Sequence, residues 1–268
     1  MTMVIAPQGG LCNRMRALDS ALAITRGREI PLKVLWFCNG ELNCTFDQLF
    51  QRLEKRVEVV NISAAGMTGK LRWHLTPHLY ALRGYRRIGQ HEIGKHPSPE
   101  QMVDRAVAGG KVFVSTYSRF CTPNTYYSDF SPSVEVAQIL QNYRPQLVDA
   151  IAVHIRRTDN LQSIGAASID DFIEAMEAAR AAVPNARFFL ATDEPGIQTR
   201  LIEHFGDALL FHPKRAYSRN APLAIVDALV DLYCLAACRQ LIGSHWSSFT
   251  DTAAQLGGIP CQIVGGQQ

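Results

Sequence analysis

Apolar residues in the first half of the chain come in short runs: Met3–Ala6, Leu32–Phe37, Val57–Ile62 and, with a polar start and end, Lys111–Thr116. Between them, the stretches near Asn13–Arg26 and Glu100–Ala108 place apolar residues at helical spacing. Short runs bounded by turn residues predict strands, and the longer periodic stretches predict helices. Strands separated by helices favour a parallel sheet. Residues 71–99 are rich in His, Arg, Tyr and Gly and carry weaker periodicity, so they read as loops and short helices.

A second alternating series begins after Pro145. It runs through a strand at Ala150–Ile155, a helix at Ile169–Ala182, a strand at Arg187–Ala191, a helix near Gly196–Phe205 and a strand at Leu209–His212. A long helix from about Pro222 to Cys238 follows, then a strand at Gln240–Ile242, a short helix at Phe249–Leu256 and a strand at Cys261–Val264. Two α/β series meeting near residue 145 predict two Rossmann-like domains, 1–145 and 146–268, with a cleft between them.

In open α/β sheets ligands bind beyond the carboxyl ends of the strands, and four polar clusters fall at such places. Gly9, Gly10, Leu11, Cys12, Asn13 and Arg14 join the first strand to the first helix. Glycines let backbone N–H groups approach a phosphate, and a helix N-terminus adds partial positive charge; a bare Gly-Gly turn is the competing reading. His154, Arg156, Arg157, Thr158 and Asp159 end a buried-looking strand. Alternation puts His154 and Arg156 on one face, and the planar fork of arginine suits phosphate, although a surface ion pair with Asp159 would also satisfy the pattern. Asp193 and Glu194 end the Phe188–Ala191 run and precede Pro195, so Asp193 is a site residue or a plain helix cap. Last, Asp227 and Asp231 lie one turn apart on an apolar helix that leads to Gly243–Thr250. A carboxylate there requires a partner, and Ser247 and Ser248 at a helix start can bind phosphate oxygens or simply cap.

Composition narrows the class without choosing within it. With 268 residues, 47% hydrophobic and 19% charged, the chain is globular and long enough for two small domains. A net charge of +3 is too even to point to nucleic acid or a membrane by itself, so any anion site must be local. Seven cysteines with no C-x-x-C pair argue for reduced, mostly buried thiols and against a zinc site. The start runs straight into the glycine loop, and no apolar run reaches the ~20 residues of a membrane span. The expectation is a cytoplasmic protein without a transmembrane segment, a nucleic-acid partner, a metal or a cofactor.

The four clusters together resemble the fucosyltransferase superfamily, the group of the core α-1,6-fucosyltransferase, the rhizobial nodulation fucosyltransferase and the protein O-fucosyltransferases. His154–Asp159 is similar to its His-Val-Arg-Arg-Thr-Asp motif, Leu190–Pro195 to Leu-Ala-Thr-Asp-Asp-Pro, Asp231–Ser248 to a third motif, and Gly9–Arg14 to its N-terminal glycine loop. The resemblance is strong over 150–265, reasonable over 5–20 and poor over 40–145.

It implies a GT-B-like fold with an acceptor-side N-terminal half and a C-terminal half that holds GDP-fucose, the donor substrate. Arg156 would bind the β-phosphate and Asp193 would be needed for activity. His154 and Asp231 would read guanine, while Ser247 and Ser248 take phosphate oxygens. Arg157, Phe249, Gly9, Gly10, Cys12, Asn13 and Arg14 complete the implied nucleotide-sugar contacts.

The implied reaction is inverting, metal-independent transfer of L-fucose to a glycan or lipid-linked acceptor, as in polysaccharide biosynthesis. Ile164 stands where the core enzyme carries a glutamate proposed as general base, which leaves the base unassigned. Two alternatives stay open: another nucleotide-sugar as donor, or nucleotide-sugar binding without catalysis. The acceptor is not legible, although residues 71–95 suit sugar faces, hydroxyls or an anionic acceptor.

Overall fold

Met3, Val4, Ile5 and Ala6 are each at most 2% exposed, so both faces of the first strand must be covered. A strand buried on both faces belongs in the middle of a parallel sheet. The computed structural model, which describes residues 1–64, 66–157, 165–218 and 220–265, puts it there. Strand β1 (Thr2–Pro7) pairs with β2 (Leu32–Cys38) on one side and β5 (Lys111–Thr116) on the other. Outside them lie β3 (Val57–Ser63) and β4 (Arg86–Gly89), and the order is β3-β2-β1-β5-β4, all parallel. Helices α1 (Leu11–Arg26), α2 (Phe46–Leu49), α3 (Gly66–Leu82), α4 (Gln90–Lys95) and α5 (Pro99–Ala108) connect them.

The second sheet repeats the plan in the order β10-β9-β6-β7-β8. Its central strand is β6 (Ile151–Ile155), every residue of it buried, flanked by β7 (Phe188–Thr192) and β9 (Gln240–Ser244). The outer strands are β8 (Leu209–Phe211) and β10 (Cys261–Val264). Helices α6 (Val134–Gln141) and α7 (Arg144–Leu147) precede β6, and α8 (Ile169–Ala182) follows it. Then come α9 (Pro195–Phe205), α10 (Pro222–Ala236) and α11 (Ser248–Gly257). Ile151, Val153, Phe172, Met176, Phe188, Leu201 and Phe205 form the core under α8 and α9.

Contacts divide the chain into Met1–Val134 with Ser218–Val226, and Glu135–Tyr217 with Asp227–Gln268. The division falls before the 145/146 boundary read from the sequence, because α6 and α7 belong to the second unit. Residues 71–99 also differ from expectation: they hold most of the 17-residue helix α3, the strand β4 and helix α4. Pro77 lies inside α3, and apolar residues lie on both of its sides, which flattens the periodicity that normally marks a helix. None of the seven cysteines is in a disulfide among the described residues; five are buried, Cys38 is half-buried and Cys261 is exposed.

Candidate functional site

From β6 the chain of the second unit moves to β7 and β8 on one side, and β9 and β10 lie on the other. The carboxyl ends of β6 and β9 therefore flank the point where strand order reverses, the usual ligand crevice of an open parallel sheet. His154 and Arg156 come from the first of these ends and Ser244–Ser248 from the second.

His154 is 5% exposed, its Nδ1 is 2.8 Å from Thr250 Oγ1, and its ring stacks on Phe249 at 4.8 Å. Burial, and then the neighbouring Arg156 charge, hold the imidazole down to about 3, so it is neutral at physiological pH. Gly243 sits opposite His154 in the β6–β9 ladder. A Cβ there would meet Thr250 Cγ2 at 2.2 Å, so only glycine lets Thr250 come close enough to hold the histidine.

Just past β6 the chain is pinned on both sides. Arg156 N–H donates to Ser244 Oγ at 2.9 Å, and that hydroxyl donates to His154 O at 3.1 Å. Asp193, just past β7, accepts from Arg157 N–H through Oδ1 at 2.9 Å and pairs through Oδ2 with Arg156 Nε at 3.1 Å. Asp193 is not the N-cap of α9, a position held by Glu194; it fixes the direction of the Arg156 guanidinium, whose side chain is only 21% exposed. Ser247 caps α11, its hydroxyl accepting from Thr250 N–H, and Ser248 opens the helix half-buried. Lys214, which sequence reasoning did not single out, supports this site together with Gly243, Ser244 and Thr250 of the fourth cluster, to which the sequence assigned no individual role. Lys214 follows β8 at its carboxyl end, where the strand-end rule alone points.

Asp231 is 4% exposed and pairs with Lys214 through Oδ2, while its Oδ1 has no hydrogen-bond partner among the described residues. Burial raises the pKa of Asp231, and the Lys214 charge opposes that rise. The same ammonium also disfavours protonation of His154, which places Asp231, Lys214 and His154 in one electrostatic neighbourhood. Asp227 is wholly buried yet satisfied: Arg215 donates to it from its backbone N–H at 2.7 Å and Nε at 2.8 Å, and His212 Nε2 lies 3.2 Å away. These bonds outweigh desolvation and keep Asp227 below its ordinary range, so it serves the framework.

In the first unit Gly9 has φ +79°, and a Cβ on it would stand 2.9 Å from Asn13 Nδ2, so the turn needs glycine. Its N–H donates to Glu41 Oε2 at 3.0 Å, showing that the loop accepts a carboxylate at the α1 N-terminus. Gly10 has nothing within 4 Å of its missing Cβ, Asn13 is half-buried and Cys12 is buried. Arg14 departs from the expectation of a ligand contact. It is 0% exposed, with Nε on Gly9 O at 2.7 Å, Nη1 on Phe37 O and Nη2 on Asn39 Oδ1 at 2.9 Å. Its cation ties the ends of β1 and β2 together, and burial lowers it to about 10. The unit's own strand-order reversal lies between β1 and β5. There a cavity of about 490 Å³ opens, lined in part by Gln8, Trp73, His78, Arg87, Glu92 and Ser115.

Thr158, Asp159 and Ile164 lie outside the described residues. Among the described residues no group of three or more His, Cys, Asp or Glu could hold a metal ion, and no helix is long and apolar enough to cross a membrane.

No protein-family model matches the chain, and no curated protein matches it by sequence. Solved structures do match. NodZ α-1,6-fucosyltransferase soaked with GDP-fucose aligns with a TM-score of 0.66 at 18% identity, over 95% of this chain and 92% of that one; NodZ is also solved from Bradyrhizobium. A variant of Arabidopsis thaliana FUT1 in complex with GDP gives 0.65 at 14% identity, over 98% of this chain and 69% of that one. POFUT1 in complex with GDP-fucose gives 0.63 at 13% identity, over 98% of both chains. The group named from the motifs is thus the group found by structure, and the chain has the two-sheet, GT-B-like α/β fold of these fucosyltransferases.

Proposed function

We propose that the protein is a glycosyltransferase that takes GDP-fucose as donor and transfers fucose, with inversion and without a metal, to a hydroxyl of a glycan or lipid-linked acceptor. The observation that carries this reading is Asp231 Oδ1, a buried carboxylate oxygen with no hydrogen-bond partner among the described residues, beside a neutral His154 at a strand-order reversal. A buried acceptor needs a donor, and guanine presents adjacent N1–H and N2–H groups that one carboxylate can accept. Thr250 engages one nitrogen of His154, and the other is available to the base edge.

Arg156, directed by Asp193, supplies the cation for the β-phosphate, and the Ser247–Ser248 helix start adds hydroxyls and N–H groups. As the bond from fucose C1 to the diphosphate oxygen breaks, negative charge grows on GDP. Fixed donors stabilise that charge without reorganising, a contribution of ~10²–10³ in rate for one donor. The acceptor hydroxyl attacks from the opposite face and loses its proton late, to water, which permits turnover without a dedicated base. The polar cavity of the first unit is of a size that suits an acceptor sugar, within the ~300–1,000 Å³ of small-ligand sites. The protein works in surface-polysaccharide assembly in the cytoplasm.

The test is release of GDP from GDP-fucose and from GDP-mannose, each without added acceptor. Slow hydrolysis confined to GDP-fucose supports the proposal. Hydrolysis confined to GDP-mannose reassigns the donor, and tight GDP binding with no hydrolysis of either marks a binding protein.

A further inference from the structure

Helix α3 turns an apolar stripe outward. Met67, Leu71, Leu75, Leu79 and Leu82 recur at one-turn spacing and are 87%, 58%, 46%, 50% and 85% exposed. Trp73, Thr76 and Tyr80 hold the opposite side against the sheet: Trp73 meets Phe37 edge-on at 4.6 Å, and Tyr80 stacks on Phe113 at 5.0 Å. The helix is therefore anchored by one apolar side and shows a second to solvent. Single exposed leucines are ordinary, but an aligned row of five large aliphatics marks a contact surface.

What covers the row follows from charge. Lys70 and Arg72 emerge on either edge of the stripe; Arg83 follows in the turn after α3, Arg86 and Arg87 in β4, and Lys95 at the end of α4. From Gly66 to His96 the only acid is Glu92, whose carboxylate caps α4 by accepting from Gly89 N–H. The chain as a whole carries only +3, so its positive charge is concentrated on this segment. Two copies meeting stripe to stripe would bring these cations together, whereas an anionic lipid surface neutralises them. An exposed apolar stripe edged by Lys and Arg is the pattern of a helix that lies in the headgroup region of a membrane.

We infer that α3 docks the protein peripherally on an anionic lipid bilayer, with Met67, Leu71, Leu75, Leu79 and Leu82 inserted and the Lys/Arg edges on the headgroups. Trp73 and His78 of the same helix line the first unit's cavity, so docking would hold that cavity at the membrane surface. The inference stands on α3 and the cations that follow it and does not depend on the donor.

The experiment is co-sedimentation of the full chain with vesicles of phosphatidylglycerol and phosphatidylcholine in about equal parts, and with phosphatidylcholine alone. Binding is expected to the anionic vesicles, to be at least ~10-fold weaker on the neutral ones and to fall as salt rises. Leu71→Ser/Leu75→Ser/Leu79→Ser should abolish it. Lys70→Gln/Arg72→Gln, on exposed side chains outside the anchored side, should weaken it by about fivefold per cation. No binding of the unsubstituted chain to anionic vesicles would overturn the inference. So would binding that survives both sets of substitutions, or a concentration-dependent dimer that the serine variant dissolves in the absence of lipid affinity.

Discussion

Asp193 and Arg156 form a 3.1 Å ion pair across the ends of adjacent strands, and the other oxygen of the same carboxylate takes the backbone N–H of Arg157. A long, flexible cation is thereby aimed before any ligand arrives. If aiming is its role, Asp193 acts through Arg156. Asp193→Asn should weaken GDP binding by about tenfold in the otherwise native chain and have little effect once Arg156 is alanine. Titration of GDP into the four members of this double-mutant cycle measures the coupling, and additive effects would separate the two residues.

Gly243 lets Thr250 reach His154. Gly243→Ala drives a methyl to within 2.2 Å of Thr250 Cγ2, so Thr250 must retreat and release the imidazole. The expected loss is about 1–3 kcal/mol of stability by urea denaturation. GDP affinity should fall with it, whereas Thr250→Ser, which keeps the hydroxyl and removes the methyl at 2.2 Å, should recover part of the loss in the alanine variant, the hydroxyl oxygen still standing 2.9 Å from the added Cβ.

The glycine loop separates two roles in neighbouring positions. Gly9→Ala meets both a φ of +79° and the Asn13 side chain, and should cost about 1–3 kcal/mol of stability. Gly10→Ala finds open space and should melt like the unsubstituted chain. Its cost should instead appear in turnover, because the added methyl stands where a substrate would approach the N–H groups at the start of α1. Thermal melts and GDP-release rates on the two variants distinguish these outcomes.

His154 also makes stability depend on pH. In the unfolded chain its imidazole takes a proton below about 6.5, whereas burial keeps the native ring neutral down to about 3. The unfolded state therefore binds more protons in that window, and the stability contributed by the neutral ring, full above pH 6.5, is lost as pH falls. The loss approaches ~1.4 kcal/mol per pH unit. Urea melts at pH 6.5 and 5 should show the native chain losing more stability than His154→Gln, and parallel losses would place the ring in water.

Much of this was legible in the residues because strand identity and strand ends are local properties. Val153 and Ile155, or Phe188 and Leu190, declare a buried strand by composition, and the polar residues just past them fall at the crevice by topology alone. The partners were not legible. Nothing near Asp231 in sequence indicates Lys214, which arrives through the β8 end, and nothing marks Arg14 as framework until its three nitrogens are seen to be engaged. Helix α3 was missed for a physical reason: leucines outside and aromatics inside cancel the one-sided periodicity by which helices are recognised.

Every part of the donor site depends on Arg156 meeting a diphosphate. Calorimetric titration of GDP into the native chain and into Arg156→Ala addresses that contact alone. Saturable binding to the native chain, weakened at least tenfold in the variant, is the expected result. Equal affinity in both proteins, or none in either, would contradict it.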